Sequence, residues 1–311
     1  MAQGKGFGKT ILFGEHFVVY GLPAIAAALS NYTVAEVEEG KEGLEIIDER
    51  PATEGYKKTK KGERNRALEL MLKYLKIDLK ETPLKIRLSG NLFCASGIGA
   101  SAAMATGIAR ALNEYFEFGL SEEQINDVSF EGEKGSAGTP SGIDNTCATF
   151  GGLLVFEKNM IGGKNKIERL RVEKPVEIVL ANSGITQETK VVVGDVRALK
   201  EEMPEEFEEI FKEYRRVFDE ALNALKENDW RKLGELMNKN QELLQKITVS
   251  CRELDEMQKT ALEAGAFGAK LTGTGRGGLL IALTPGRELQ EKVAKALEGK
   301  GFSCQKTEIG V

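Results

Sequence analysis

The hydrophobic positions at the start of the chain fall in short runs that favour strands. From "TILFGEHFVVYG" (10–21) to "LEIID" (44–48) the apolar residues are mostly β-branched or aromatic, and glycines interrupt the runs. A further strand is predicted at 83–90, where "PLKIRLSG" alternates apolar and polar residues. The chain is therefore predicted to open as a sheet.

Helical periodicity is found in three later regions. It is present in "ERNRALELMLKYLKI" (63–77), in "SAAMATGIARALNEYF" (101–116), and almost throughout the stretch from about Thr189 to Ala264. Ser121 followed by Gln124 is the signal of a capping box, which predicts the start of another helix.

Strands and turns are predicted between and after these helices. "GLLVFEK" and "VEIVLANSG" are typical of strands, and "NMIGGKNK" between them is typical of a hairpin turn. The pattern of "GAKLTGTGRGGLLIAL" (268–283) predicts a strand, a tight loop and a strand, and a final helix and short strand close the chain.

Length and composition predict two α+β domains. The chain has 311 residues, of which 41% are hydrophobic, more than a typical single domain requires. We place the boundary near residue 172, which gives domains 1–172 and 173–311. No flexible linker is evident, so we expect the two halves to pack around a shared cleft that binds a ligand.

Charge and cysteine usage narrow the function. The formal net charge is −5, which gives no basic excess for a nucleic-acid partner. The N-terminus lacks the apolar segment of a signal peptide and no window is long enough to span a membrane, so we expect a soluble, cytoplasmic protein with a small-molecule substrate. The four cysteines are scattered, which predicts reduced, structural thiols rather than a zinc site.

A glycine-bearing turn at 94–103, "CASGIGASAA", is a candidate phosphate site. It lacks the G-K-[ST] ending of a Walker A loop and the spacing of a dinucleotide-binding fingerprint. Gly97 and Gly99 nevertheless allow a positive φ and close backbone approach, and a helix that starts near Ser101 presents free N–H groups to an anion. The alternative is a plain turn before a well-packed helix.

A second glycine-rich loop at 135–145 is flanked by two acids. Within "GEKGSAGTPSGIDN" these are Glu133 and Asp144. Metal-assisted phosphoryl transfer uses such a separated pair, with one carboxylate on Mg²⁺ and the other at the attacking hydroxyl. The alternative is that both acids lie on solvated faces.

The N-terminal segment supplies a cation. Lys9 precedes a predicted strand, and Glu15 and His16 lie in the turn that follows it. Taken singly, Lys9 is typical of a surface lysine and His16 of a hydrogen-bonded structural residue. In combination with the two loops, Lys9 could provide the positive charge that the first loop lacks.

These three segments resemble the signature motifs of the GHMP small-molecule kinases. The string G-E-H-x-V-V-Y-G is similar to that of the mevalonate kinases, and the motif sequences resemble those of the trypanosomatid-type branch most closely. That branch accounts for Ala100, where many relatives have serine, and for Arg276 in an otherwise glycine loop. The matching segments are 50–56, 96–102, 138–146, 250–254 and 269–278.

The resemblance implies a role for each matching residue. It implies ATP as phosphoryl donor, Mg²⁺ as cofactor and mevalonate as acceptor. Asp144 and Lys9 would be catalytic, and Ser101 and Glu133 would hold Mg²⁺. The ATP phosphates would contact Gly97, Ile98, Gly99, Ala100, Ser101 and Ala102, and the acceptor would contact Glu15, His16, Thr189, Ser141 and Gly273.

The implied fold is the two-domain α+β fold of GHMP kinases. Its N-terminal domain is like ribosomal protein S5 domain 2, its C-terminal domain is ferredoxin-like, and the active site lies between them. The implied reaction is phosphorylation of the 5-hydroxyl of mevalonate in isoprenoid biosynthesis. The resemblance is compatible with a homodimer and leaves the oligomeric state open.

Two departures keep other functions open. Met104 stands where many mevalonate kinases have tyrosine, and Ala137 where they have histidine. A GHMP kinase for phosphomevalonate, homoserine or a sugar is therefore an alternative. A nucleotide-binding sensor without activity is a further alternative, although the chain retains Lys9, Ser101, Glu133 and Asp144.

Overall fold

The chain forms two compact units. The computed structural model describes residues 1–94, 97–138, 140–163, 165–170 and 172–311, with the backbone alone at 137. The first unit contains Met1–Lys9 and Ala28–Gly151, and the second contains Thr10–Ala27 and Gly152–Val311. The units thus change after residues 9, 27 and 151, whereas a domain boundary near residue 172 stays a prediction.

Strands and helices occur in both units, which confirms the predicted α+β class. The strands are β1 (Ala2–Phe13), β2 (Ala24–Glu39), β3 (Leu44–Asp48), β4 (Leu84–Gly90), β5 (Leu153–Glu157), β6 (Lys166–Leu170), β7 (Val176–Asn182), β8 (Gly268–Thr272), β9 (Leu279–Leu283) and β10 (Ser303–Ile309). The helices are α1 (Tyr56–Thr59), α2 (Lys61–Tyr74), α3 (Ala100–Tyr115), α4 (Glu122–Ala137), α5 (Ile143–Phe150), α6 (Thr189–Glu202), α7 (Pro204–Lys226), α8 (Trp230–Lys246), α9 (Arg252–Glu263) and α10 (Arg287–Glu298).

The first unit packs helices on a mixed sheet. β2 pairs antiparallel with β4, which pairs in parallel with β3, and α2, α3, α4 and α5 contact one another. The apolar alternation predicted at 83–90 is explained by the burial of Leu84, Ile86 and Leu88 in this core. The capping box is also confirmed, because the Ser121 side chain accepts from the Gln124 amide and the Gln124 side chain bonds back.

The N-terminal part of β1 lies unusually close to α3. A Cβ atom on Gly4 would stand 2.1 Å from the carbonyl oxygen of Gly107, and one on Gly6 would stand 2.2 Å from that of Ala103. Both distances are far inside van der Waals contact, so only glycine fits at these alternate positions of the strand. The small side chains of α3 complete the contact from the other side.

The second unit is an antiparallel sheet with helices packed on it. The strand order is β10-β7-β9-β8, and α8, α9 and α10 contact these strands. β5 pairs with Ala24–Ala27 of β2 and with β6. No helix among the described residues has the length and apolar character needed to cross a membrane.

Three local expectations differ from the structure. β5 pairs antiparallel with β6, a polar strand that the sequence pattern did not predict. α4 continues through the start of the predicted loop at 135, and α5 begins at Ile143, so Glu133 and Asp144 lie on helices. Lys9 lies inside β1 rather than before a strand.

We expect Gly6→Ala to destabilise the protein by about 1–3 kcal/mol, because the added methyl group forces the backbones of β1 and α3 apart. Gly62→Ala is the matched control, since a Cβ there meets nothing within 4 Å and the residue lies in α2. That variant should be unchanged or more stable by up to about 1 kcal/mol. The midpoints of urea unfolding measure both effects, and equal midpoints for the two variants would contradict the close contact.

Candidate active site

The candidate phosphate loop has the backbone that the sequence predicts. Gly97 has a φ of 94° and Gly99, the residue that caps α3, has a φ of 68°. Both values lie in the left-handed region that favours glycine. The expectation of positive φ at these two positions is confirmed, whereas Ala95 and Ser96 of the same motif lie outside the described residues.

This loop is packed against β1 at Lys9. The Lys9 amide donates to the carbonyl of Ile98 at 2.9 Å, and a Cβ on Gly99 would stand 2.7 Å from the Lys9 Cγ. The amide of Ala103 donates a hydrogen bond to the carbonyl of Gly99, the residue that caps α3. The preceding amides of the first turn are therefore the ones that a helix N-terminus offers to an anion.

An ion pair joins Lys9 to the first turn of α5. The Lys9 Nζ lies 3.2 Å from Oδ1 of Asp144, whose side chain is 35% exposed, and the Lys9 side chain is 11% exposed. Burial alone would lower the pKa of Lys9, but the negative charge and hydrogen bond of Asp144 outweigh it, so this pKa lies above its usual value. Lys9 therefore stays charged, and Asp144 keeps a cation beside it.

Glu133 is a buried carboxyl group beside Ser101. It is 3% exposed, and its Oε1 has no hydrogen-bond partner within the part of the chain that the structure describes. Burial, together with the charge of Asp144, raises the pKa of Glu133 to about 7, although a hydrogen bond from Ser101 and the charge of Lys9 oppose that shift. A cation bound there would favour the charged form.

A cavity of about 240 Å³ adjoins these residues in the first unit. Its cationic lining was missed from the sequence, although the run of lysines and arginines at 57–66 was a visible signal. The lining residues are Asp48, Arg50, Tyr56, Lys57, Lys60, Glu63, Arg64, Gly97, Gly99, Ala100, Ser101, Met104, Glu133, Ser136 and Asp144.

One carboxylate organises the cations of this cavity. Asp48 accepts two hydrogen bonds from the Arg50 guanidinium, at 2.9 and 2.8 Å, and lies 3.5 Å from Arg64. Burial would raise the pKa of Asp48, but Arg50 holds it below its usual range. Arg50 also donates to the Ala100 carbonyl at 3.2 Å and to the sulfur of Met104 at 3.7 Å. The first turn of α3 is thereby tied to β3.

In the second unit, the glycine loop after β8 gathers two of the predicted acceptor residues. The carbonyl of Thr274 lies 2.7 Å from Nε2 of His16, and its hydroxyl lies 2.7 Å from the hydroxyl of Thr189. Gly273, the residue before Thr274, has a φ of 94° and open space where a side chain would be. His16, Thr189 and Gly273 are therefore neighbours.

His16 is buried as a neutral ring with one defined proton. Because Nε2 faces a carbonyl oxygen, that nitrogen must carry the hydrogen, and Nδ1 is then an acceptor. Nδ1 is buried and has no hydrogen-bond partner among the residues described. Burial, reinforced by the charge of Arg276, lowers the pKa of His16 in spite of the bond to Thr274.

Glu15 lies in a buried ion pair rather than at an open surface. Its carboxylate contacts the ammonium group of Lys270, and the side chains are 1% and 0% exposed. Burial lowers the pKa of Lys270, and the charge of Glu15 opposes this. The sequence signal for Lys270 was a single charge in the otherwise apolar strand β8.

The remaining predicted residues either can offer only backbone atoms to a ligand or use their side chains in local hydrogen bonds. Ala102 is fully buried and Ile98 is 3% exposed, so only their backbones can face a ligand. The hydroxyl of Ser141 accepts from the Ile143 amide at 3.3 Å, ahead of α5. The side chain of Ala137, one of the two departures noted above, lies outside the described residues.

Known proteins are similar in sequence to this chain over nearly its full length. Residues 64–152 match the family described as GHMP kinases N terminal domain, and residues 220–303 match the one described as GHMP kinases C terminal. The mevalonate kinase of Pyrococcus furiosus is 35% identical to this chain, over 97% of it and 94% of the relative. The chain belongs to the GHMP kinase family.

Solved structures extend the likeness of this GHMP kinase. The crystal structure of L. major mevalonate kinase in complex with R-mevalonate has 39% sequence identity and a TM-score of 0.94, and the match covers 99% of this chain and 96% of that chain. The Methanococcus jannaschii mevalonate kinase has 28% identity and a TM-score of 0.81, over 99% and 98%. The predicted GHMP kinase fold and the resemblance to mevalonate kinases are confirmed.

We expect the single histidine of this GHMP kinase to titrate below pH 6.5, its usual pKa, because burial disfavours the imidazolium. The folded protein then binds fewer protons than the unfolded chain. This contribution to stability is present above pH 6.5 and is lost as the pH falls through the folded-state pKa. The ring signals of His16 in a two-dimensional NMR titration measure the value, and a pKa above 6.5 would contradict the assignment.

Proposed function

We propose that this GHMP kinase transfers the γ-phosphoryl group of ATP to the 5-hydroxyl of mevalonate, giving 5-phosphomevalonate and ADP in isoprenoid biosynthesis. The observation that carries the proposal is the likeness, at 39% identity over 99% of the chain, to a kinase in complex with R-mevalonate. The ion pair of Lys9 and Asp144 beside the α3 N-terminus supports the reaction class.

Asp144 is the proposed catalytic carboxylate. Phosphoryl transfer leaves a protein chiefly the tasks of alignment and charge stabilisation. Asp144 would accept the hydrogen bond of the attacking hydroxyl and take its proton as the bond to phosphorus forms. Lys9 places a positive charge beside Asp144 and provides one for the transferred group, so both residues are assigned as catalytic.

The ATP phosphates are proposed to lie at the start of α3. The backbone of Gly97, Ile98 and Gly99 leads into the first-turn amides of Ala100, Ser101 and Ala102. Positive φ values and the absence of side chains at the two glycines allow a phosphate to approach that backbone.

The residues present fit a divalent cation at Glu133 and Ser101. Within the described ranges, no group of three or more His, Cys, Asp and Glu side chains could hold a metal ion without further ligands. Mg²⁺ prefers a few protein oxygens together with phosphate oxygens and water, and Glu133 has a buried oxygen without a partner among the described residues. When bound, Mg²⁺ would neutralise charge on the phosphates.

The acceptor residues are proposed to be His16, Thr189 and Gly273. Nδ1 of a neutral His16 accepts a hydrogen bond, so it suits a hydroxyl group of the acceptor rather than its carboxylate. The buried Glu15 would act by fixing the turn that carries His16, and Ser141 by shaping the start of α5.

We expect Asp144→Asn to lower kcat by about 100-fold or more while the KM for ATP stays within about twofold, because the variant keeps the shape and loses the charge. Asp127→Asn is the matched control, an exposed acid on α4. Steady-state ADP release measures both variants. If Asp144→Asn retained the turnover of the control, the catalytic assignment would fail.

The acceptor is tested by a panel of alcohols with purified protein, ATP and Mg²⁺. Among mevalonate, phosphomevalonate, homoserine and hexoses, we expect mevalonate to give the highest kcat/KM. ADP release measures the rate, and ³¹P NMR identifies the product. A higher kcat/KM for another member would overturn the acceptor and retain the kinase class. The absence of turnover with every alcohol would favour a nucleotide-binding sensor.

A further inference from the structure

Two residues of the second unit have a left-handed backbone that is not a cap at the C-terminal end of an α-helix. Among the described non-glycine residues, Lys76, Glu117, Asn228 and Thr248 each stand two residues beyond a helix, where a left-handed conformation is a common cap. The other positive φ values belong to His16, at 62°, and Arg276, at 51°. His16 is proposed above to bind the acceptor alcohol, whereas no function has yet been assigned to Arg276.

The side chain of Arg276 holds the glycine loop to two other elements. Its Nε donates to the Thr248 carbonyl at 2.9 Å and its Nη2 to the Thr248 hydroxyl at 3.3 Å. Its Nη1 forms an ion pair with Asp195 on α6. The Arg276 amide donates to the Val249 carbonyl at 2.7 Å, so both backbone and side chain fix this loop to the turn between α8 and α9.

Stability alone gives a weak reason for arginine here. Glycine adopts this φ without strain, whereas arginine does not. The side chain of Arg276 is 30% exposed and that of Asp195 is 50% exposed, and ion pairs of such exposure contribute little to folding. The arginine therefore costs backbone strain for contacts whose main effect is on position.

The position that Arg276 controls is that of Thr274. Thr274 lies two residues earlier in the same loop and contacts both His16 and Thr189. Thr189 is the first residue of α6, and Asp195 lies on the same helix. The ion pair and the Thr189–Thr274 hydrogen bond thus join the loop to α6 at two points.

We propose that Arg276 is a positioning residue, which holds Thr274, and through it His16 and Thr189, in the arrangement that receives the acceptor alcohol. The inference rests on the proposed function for the identity of the acceptor. The arrangement itself does not depend on the proposed function, because the contacts of Arg276, Thr274 and His16 define it without a ligand. A misplacement of about 1 Å at such residues can cost about 100-fold in rate.

The test compares Arg276→Gly with the wild type. This variant relieves the backbone strain and removes the side chain, so folding should be retained in the midpoint of thermal unfolding. We expect kcat/KM for mevalonate to fall about ten- to hundredfold, and the KM for ATP to change less than about twofold. Asn228→Gly, the same backbone change at a helix end, should leave all three values unchanged.

A second readout does not depend on turnover. Because the charge of Arg276 lowers the pKa of His16, we expect this pKa to rise in Arg276→Gly and the ring signals to shift. Arg276→Lys keeps a charge without the fork that binds Thr248 and Asp195, so it should still lower kcat/KM for mevalonate. This variant decides the matter if Arg276→Gly does not fold.

The outcomes separate the two proposals. If wild-type protein prefers another alcohol, the proposed acceptor fails, and the Arg276 variants are then measured with that alcohol. An unchanged acceptor KM and kcat in Arg276→Gly would overturn the positioning role, whatever the His16 titration shows. A lower unfolding midpoint with unchanged kinetics would leave Arg276 a purely structural residue.

Discussion

The close contact of β1 with α3 is the constraint on which the first unit depends. Gly4 and Gly6 bring the strand against the helix backbone at a distance that no side chain permits. The same strand then reaches Lys9, whose amide bonds to the loop before α3 and whose ammonium group meets Asp144. The register of β1 on α3 therefore sets the distance between the Lys9 ammonium group and the loop before α3.

Charge in the first unit is balanced only in part. Asp144 offsets the burial of Lys9, and Arg50 and Asp48, each 6% exposed, offset the burial of one another. Burial raises the pKa of Glu133 to about 7, although the charge of Lys9 opposes this shift. Buried ion pairs add little to stability, so we relate this arrangement to the charged substrate and the metal ion proposed above.

The second unit uses a different device, a glycine loop held by side chains. Thr274 connects His16 to Thr189, and Arg276 connects the loop to α6 and to the turn after α8. Hydrogen bonds and an ion pair fix the conformation of this loop. This explains why strained residues occur here rather than in the sheet.

The sequence by itself determined the elements with strong local signals and the family. Periodicity predicted the helices at 63–77 and 101–116, the capping box predicted the start of α4, and the motifs predicted the GHMP kinase fold. Only the tertiary structure revealed the polar edge strand β6 and the short helix α5. β6 is mostly exposed and polar, so it lacks an apolar alternation, and α5 is short and lies between two glycines. The tertiary structure also decided the partners of Glu15, Asp48 and Arg276, since an ion pair between residues distant in sequence, such as Glu15 and Lys270, leaves no periodic pattern and exists only once the chain has folded.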